Sequence, residues 1–204
     1  MNRIRVILIV GLMSISASVS NAQTPSPSPT TAPVAASATG YVPPTAKERW
    51  RQFGNDTFGV RAILIRASAA GFSTWTNTPA EWGGQWKGFG KRFASNMGKS
   101  VIRNTTVLAL DSAFHLDSRY VLSPKRDAAS KFKNAFTAPF VARNRYGKKV
   151  FGFPKVAGAM TASFVSVSAW YPERYGWRDS VRNGLTSMAT SAAFNLIREF
   201  ITKK

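Results

Sequence analysis

TPAEWGGQWKGFGKRFASNMGKSV, residues 78–101, decides the fold class. Within it Trp82, Trp86, Phe89, Phe93, Met97 and Val101 recur at steps of four or three, which is one face of a helix and not the alternation of a strand. Thr78 and Glu81 stand three apart around Pro79, the pattern of a capping box with proline at the first helical position. A long helix is therefore expected from there to about Phe114, with a kink near Asn104, Thr105 and Thr106.

Outward from this stretch the same signals recur. Thr45 and Glu48 form a second capping box, with Gly54 as the expected stop. Residues 58–70 read as a helix ended by Gly71, and Ser123-Pro124 opens another, along which Phe132, Phe136 and Phe140 stack until Pro139 bends it. Asp179 and Ser180 can cap a last helix with apolar positions Val181, Leu185, Met188, Ala192, Leu196 and Phe200. Residues 156–170 are ambiguous, since Phe164 to Trp170 alternate like a strand. Their small side chains suit close helix packing, and helix is the reading taken. With several hydroxyls, this segment is also too short for a bilayer that needs ~20 apolar residues. Residues 144–155, with Tyr146-Gly147-Lys148, read as a turn or small hairpin. The expected fold is an all-α bundle of five or six helices.

At the N-terminus Arg3 and Arg5 precede an apolar run from Val6 to Ile15, followed by small residues ending at Ala22. That order is the layout of a secretory signal peptide, so residues 1–22 are read as one. Residues 23–44 carry Pro25, Pro27, Pro29, Pro33, Pro43 and Pro44 among Ser, Thr and Ala, and read as an extended linker. Residues 45–204 remain for a single helical domain. The expected location is outside the cytoplasm, periplasmic or associated with the outer envelope.

The chain of 204 residues has 28 Lys and Arg, 9 Asp and Glu, one His and no Cys, a formal charge of +19. Loss of Arg3 and Arg5 with the signal peptide lowers this to +17. Without cysteine there is no disulfide scaffold, thiolate nucleophile or Cys-based zinc site. The scattered acids face an excess of cations, so no metal site is expected, and no cofactor motif is present. Gly83, Gly84, Gly88 and Gly90 fit neither phosphate-loop spacing.

His115 is the one candidate for acid–base chemistry. Asp111 lies one helical turn before it and Asp117 two residues after, so either carboxylate could orient the imidazole in a hydrolase-type site. The competing reading makes His115 the close of a helix C-terminus, with Asp117, Ser118 and Arg119 forming a turn with a local ion pair. No GxSxG or SxxK nucleophile accompanies the group.

Basic stretches carry more information. Residues 82–103 hold Lys87, Lys91, Arg92, Lys99 and Arg103 without an acid, and residues 118–155 add Arg143, Arg145, Lys148 and Lys149 with interleaved rings. Lys87, Lys91, Arg92, Arg143, Arg145, Lys148 and Lys149 are the expected anion-binding residues. They suit lipid headgroups, lipopolysaccharide or a wall polymer; nucleic acid is a second class of partner, requiring a contiguous basic groove.

His115-x-Asp117-x-Arg119-Tyr120, the later Trp170-Tyr171-Pro172 and the closing Asn195 to Phe200 resemble an uncharacterised family of exported proteins associated with acidobacterial genomes. The resemblance covers residues 55–200 and implies one helical domain behind a signal peptide. That family more often has Pro where this chain has Ser118, and it implies no activity. The expectation for function is thus a non-enzymatic basic envelope protein, with the His115 hydrolase and nucleic-acid binding as alternatives.

Overall fold

A computed structural model describes residues 41–124 and 127–201 of the chain. The expected signal peptide and the linker up to residue 40 lie outside the described residues. Six α-helices are present among the described residues: α1 (Ala46–Phe58), α2 (Val60–Trp75), α3 (Gln85–Ala113), α4 (Ala128–Thr137), α5 (Phe153–Ala169) and α6 (Trp177–Ile201). One hairpin, β1 (Val141–Arg143) with β2 (Lys149–Phe151), interrupts them, its register pairing Ala142 with Val150. The fold is an all-α bundle, and the ambiguous segment is helical up to Ala169, with Trp170 as the cap of α5.

Local chemistry explains the starts. The Thr45 Oγ1 accepts from the Glu48 N–H, and the Glu48 carboxylate accepts from the Thr45 N–H, so α1 begins with its expected box. Asp127 caps α4 by accepting from the Ser130 N–H, whereas Ser123 and Pro124, the expected opening, are not helical. In α6, which begins at Trp177, the Asp179 carboxylate lies in the first turn and accepts from the N–H of Gly176, three residues nearer the N-terminus than the expected cap at Asp179.

Several glycine stops are overturned. Helix α1 runs through Gly54 and breaks at Gly59, and α2 runs through Gly71. A lone glycine costs a helix only about 1 kcal/mol, which tertiary packing readily offsets. The long helix is also displaced. Ala80–Trp82 form one 3-10 turn, Gly83 and Gly84 break the chain, and α3 starts at Gln85 without a side-chain cap. The Thr78 hydroxyl donates to the Thr76 carbonyl instead of capping, so the box expected at Thr78 does not form. Helix α3 continues unbroken through residues 104–106 to Ala113.

The interior is built from small residues. Helices α3 and α5 form the central pair, with α1 and α2 against α3 and α6 against α5. A Cβ at Gly158 on α5 would meet the Arg103 carbonyl of α3 at 2.8 Å, so the two backbones approach as only glycine allows. Ala159, Ala162, Ser163 and Ser166 continue that buried face. Trp170 closes the far end, its Nε1 donating to the Ser95 hydroxyl at 2.9 Å.

Large side chains go outward in exchange. Trp86 is 85% exposed, and Phe132, Phe136 and Phe140 point to solvent while Ala135, Ala138 and Pro139 are buried. On α2, Val60, Leu64, Phe72 and Trp75 form an exposed apolar stripe. On α6 the buried positions are Ser180, Gly184, Met188, Ala192 and Glu199, not Leu185 or Phe200. Among the described residues no helix is long and apolar enough to cross a membrane.

The start of the domain shifts as well. Tyr41 and Pro44, assigned to the linker by composition, are fastened to the folded part: Pro44 is buried, and the Tyr41 hydroxyl donates to Asp117 at 2.8 Å.

Candidate functional site

The last turn of α3 carries the histidine. The Leu116 N–H donates back to the Asp111 carbonyl at 2.9 Å, and His115 between them takes φ of +51°. This six-to-one bond around a left-handed residue is a Schellman ending, with His115 where glycine is commonest. The ring is exposed, and among the described residues no hydrogen bond joins it to Asp111 or Asp117. The catalytic pairing weighed as an alternative for His115 is not assembled; the residue closes a helix.

Both carboxylates are buried and engaged elsewhere. Asp111 accepts from the Ser118 N–H at 2.9 Å and the Ser118 hydroxyl at 2.8 Å. Burial pushes its carboxyl up, and the Ser118 bonds offset that only in part. Asp117, 3% exposed, accepts from the Arg119 N–H, the Arg119 guanidinium and Tyr41. Burial raises its carboxyl too, but the Arg119 and Tyr41 bonds and the Arg119 charge together outweigh burial and hold it below the ordinary value. Tyr41 is pushed up to about 12, first by burial and then by its bond to Asp117. Through its backbone Asp117 also pairs with Arg143, so the hairpin is tied to the end of α3.

Lys155 lies behind this knot. Its ammonium donates to the Ala138 carbonyl at 2.7 Å and the Val141 carbonyl at 2.8 Å, bracing the chain where it enters the hairpin. Burial pulls it down to about 8 against the pull of Asp111.

The seven expected anion-binding residues do not form one cluster. Lys87 and Lys91 are exposed on the first turns of α3, whereas Arg145, Lys148 and Lys149 are exposed on the hairpin, beside the other end of that helix. At 1.5 Å per residue the two ends of α3 are roughly 40 Å apart. Arg143 is half-buried, its guanidinium 5.7 Å from the Tyr41 ring centroid.

Arg92 leaves the set altogether. It is 2% exposed and donates to the carbonyls of Thr78, Pro79 and Gly83 and to the Asn77 side chain. Gly88 makes room for this, because a Cβ there would lie 2.1 Å from the Gly83 carbonyl oxygen. Arg92 is the internal donor of the loop before α3 and is not free for an external anion.

A polar groove between the α1–α2 pair and α6 was not anticipated. Its two lobes, of about 520 Å³ and about 550 Å³, share Asn55, Asp56, Arg103, Asn104, Asn195 and Arg198. The signal was present: Asn183, Ser187, Ser191 and Asn195 recur at steps of four, a polar stripe at helical period. A second missed feature had no local trace. Glu199 accepts from the Tyr120 hydroxyl, the Ser123 N–H and the Asn134 amide, partners 65 to 79 residues away. Burial pushes its carboxyl up, yet these bonds together hold it below its ordinary value.

Among the described residues no group of three or more His, Asp or Glu could hold a metal ion. No family model, curated protein or solved structure matches the chain.

Proposed function

We propose that the protein is an exported, non-enzymatic envelope protein that docks on anionic lipid headgroups. The hairpin carries this reading. Its tip holds Arg145, Lys148 and Lys149 beside Tyr146 and Phe151, all exposed, and no acid occurs from residue 128 to residue 155. The turn is pre-shaped, because the Asn144 side chain accepts from the N–H groups of Tyr146 and Lys148. The Arg145 guanidinium lies 5.3 Å from the Tyr146 ring centroid. Rings that rest at the headgroup level beside cations that meet phosphate are the chemistry of an interfacial anchor. Each such cation contributes ~1 kcal/mol near an anionic surface, so three suffice for a salt-sensitive contact. Trp86 with Lys87 and Lys91 supplies a second pairing of ring and cation at the other end of α3.

Co-sedimentation with vesicles tests this. The full chain is expected to bind phosphatidylglycerol vesicles, to ignore phosphatidylcholine, and to release at about 0.5 M salt as screening shortens the field. Lys148→Glu combined with Lys149→Glu should weaken binding by about tenfold or more. Equal binding to both vesicle types, or indifference to the double substitution, overturns the proposal.

A further inference from the structure

The second lobe of the groove, unlike the first with its Glu48, Asp111 and Asp117, gathers cations from several helices with few acids to match them. This lobe is lined by Arg61, Arg66, Lys99, Arg103 and Arg198 against the single carboxylate of Asp56, a net charge of +4. Arg66 reaches the lobe from α2: one terminal nitrogen donates to the Asp56 carbonyl and the Ser100 hydroxyl, while the other is buried without any hydrogen-bond partner. Arg103 comes from α3 and, among the described residues, donates to hydroxyls, Ser191 at 3.1 Å and Ser187 at 3.4 Å. No carboxylate of the described residues lies in ion-pair reach of either guanidinium. Burial lowers the Arg103 guanidinium below its ordinary value, and the neighbouring Arg66 lowers it further. Two partly desolvated guanidinia that repel each other form a site that an entering oxyanion would relieve.

The rest of the lining selects the body of the ligand. The α6 stripe of Asn183, Ser187, Ser191 and Asn195 offers amides and hydroxyls at one-turn intervals, and Asn96 and Ser100 of α3 also line the lobe. Phe194 is the one ring among the described lining residues, so a nucleobase finds little to stack on, while Ala62, Ile65, Ala69, Ala159 and Ala162 supply an apolar wall on which the C–H face of a sugar ring can rest. A volume of about 550 Å³ is within the range of small-ligand sites. We propose that this lobe binds an acidic saccharide, with Arg66 and Arg103 taking its carboxylate or phosphate and the α6 stripe taking its hydroxyls. The inference is independent of lipid docking by the hairpin.

Calorimetric titration of the full chain with four probes tests it: a galacturonic acid trimer, glucose 6-phosphate, maltotriose and inorganic phosphate. One of the two charged saccharides should bind at least about tenfold more tightly than maltotriose and inorganic phosphate, and which one does so identifies carboxylate or phosphate as the anion. Arg103→Gln should weaken that binding by about tenfold or more, since a charge-assisted fork is lost. Because Arg103 also contacts α6, Arg61→Gln at the exposed mouth is the second variant, expected to weaken binding about threefold with an unchanged melting temperature. The hairpin double variant should bind the saccharide as the parent does. Maltotriose or inorganic phosphate binding as tightly as the charged sugar overturns the proposal. So does the absence of saturable binding at millimolar concentration, insensitivity to both arginine substitutions, or loss of binding in the hairpin variant.

Discussion

The two ends of α3 solve one problem with opposite charges. At the N-terminal end a buried guanidinium, Arg92, is surrounded by carbonyls of the incoming loop; at the C-terminal end buried carboxylates, Asp111 and Asp117, are surrounded by N–H groups, hydroxyls and Arg119. Each charge lies at the end of the helix that its dipole disfavours. The dipole is worth about 0.3–1 kcal/mol, whereas each buried polar group left without a partner costs about 1–3 kcal/mol. The loop before α3 turns carbonyls inward and the loop after it turns N–H groups inward. Satisfying the loops therefore outweighs the dipole.

The largest test of this comparison is Arg92→Ala. It strands three carbonyls and the Asn77 side chain at once, and should cost about 3–5 kcal/mol in urea denaturation. Arg92→Lys should recover only a minor part, since an ammonium lacks the fork that reaches four acceptors. A loss under about 1 kcal/mol would show that water replaces the guanidinium and that the loop does not depend on it.

Asp117→Ala comes next, at about 2–3 kcal/mol, because it frees the buried Arg119 N–H and the Tyr41 hydroxyl together. The two carboxylates should then separate by pH. Asp117 is held below its ordinary value of 3.8, so its stabilisation is full above that pH and is lost as pH falls through the folded value. Asp111 is raised above 3.8, so its contribution is full below that pH and fades as pH rises through its folded value. Denaturation between pH 3 and pH 6 should accordingly show weaker acid sensitivity in Asp117→Asn and stronger sensitivity in Asp111→Asn, relative to the parent. The Arg92→Ala penalty should stay constant over that range, because its acceptors do not titrate. A penalty that varies with pH would break the contrast between the ends.

Ser118→Ala should cost about 1 kcal/mol, since Asp111 keeps the backbone donor and loses the hydroxyl. The smallest effect is expected at the helix close. His115→Gly should raise stability by about 0.5–1 kcal/mol in thermal melts, as glycine enters the left-handed region without the Cβ penalty. A marked loss of stability would assign the imidazole a contact beyond its role in ending α3.

Helical class was legible because periodicity at 3.6 residues survives whatever a helix packs against. Which face is buried was not. The ring stripe at Phe132, Phe136 and Phe140 marks a distinct face of α4 and its neighbour, yet Ala135, Ala138 and Pro139 face the bundle and Phe136 is 65% exposed. Small residues win there because close backbone approach gives more contact than a ring held at a distance. On α6 the same bias misplaced Leu185 and Phe200, which are exposed, while Met188 and Ala192 are buried as expected. At the candidate site, the sequence spacing of Asp111, His115 and Asp117 allowed two geometries, and only the left-handed turn at His115 chose between them.

Composition and order alone determined the excess of cations, the absence of thiol and multi-histidine chemistry, the capping box of α1 and the helical nature of the chain, since each depends on neighbours within a few residues. Tertiary structure decided which cations face water, which are buried as donors and which converge. Arg92, Arg103 and Lys148 are alike as letters in a basic sequence. One became the internal clamp of a loop, one the floor of a groove and one the tip of a hairpin, because burial and partner geometry are properties of the packed chain.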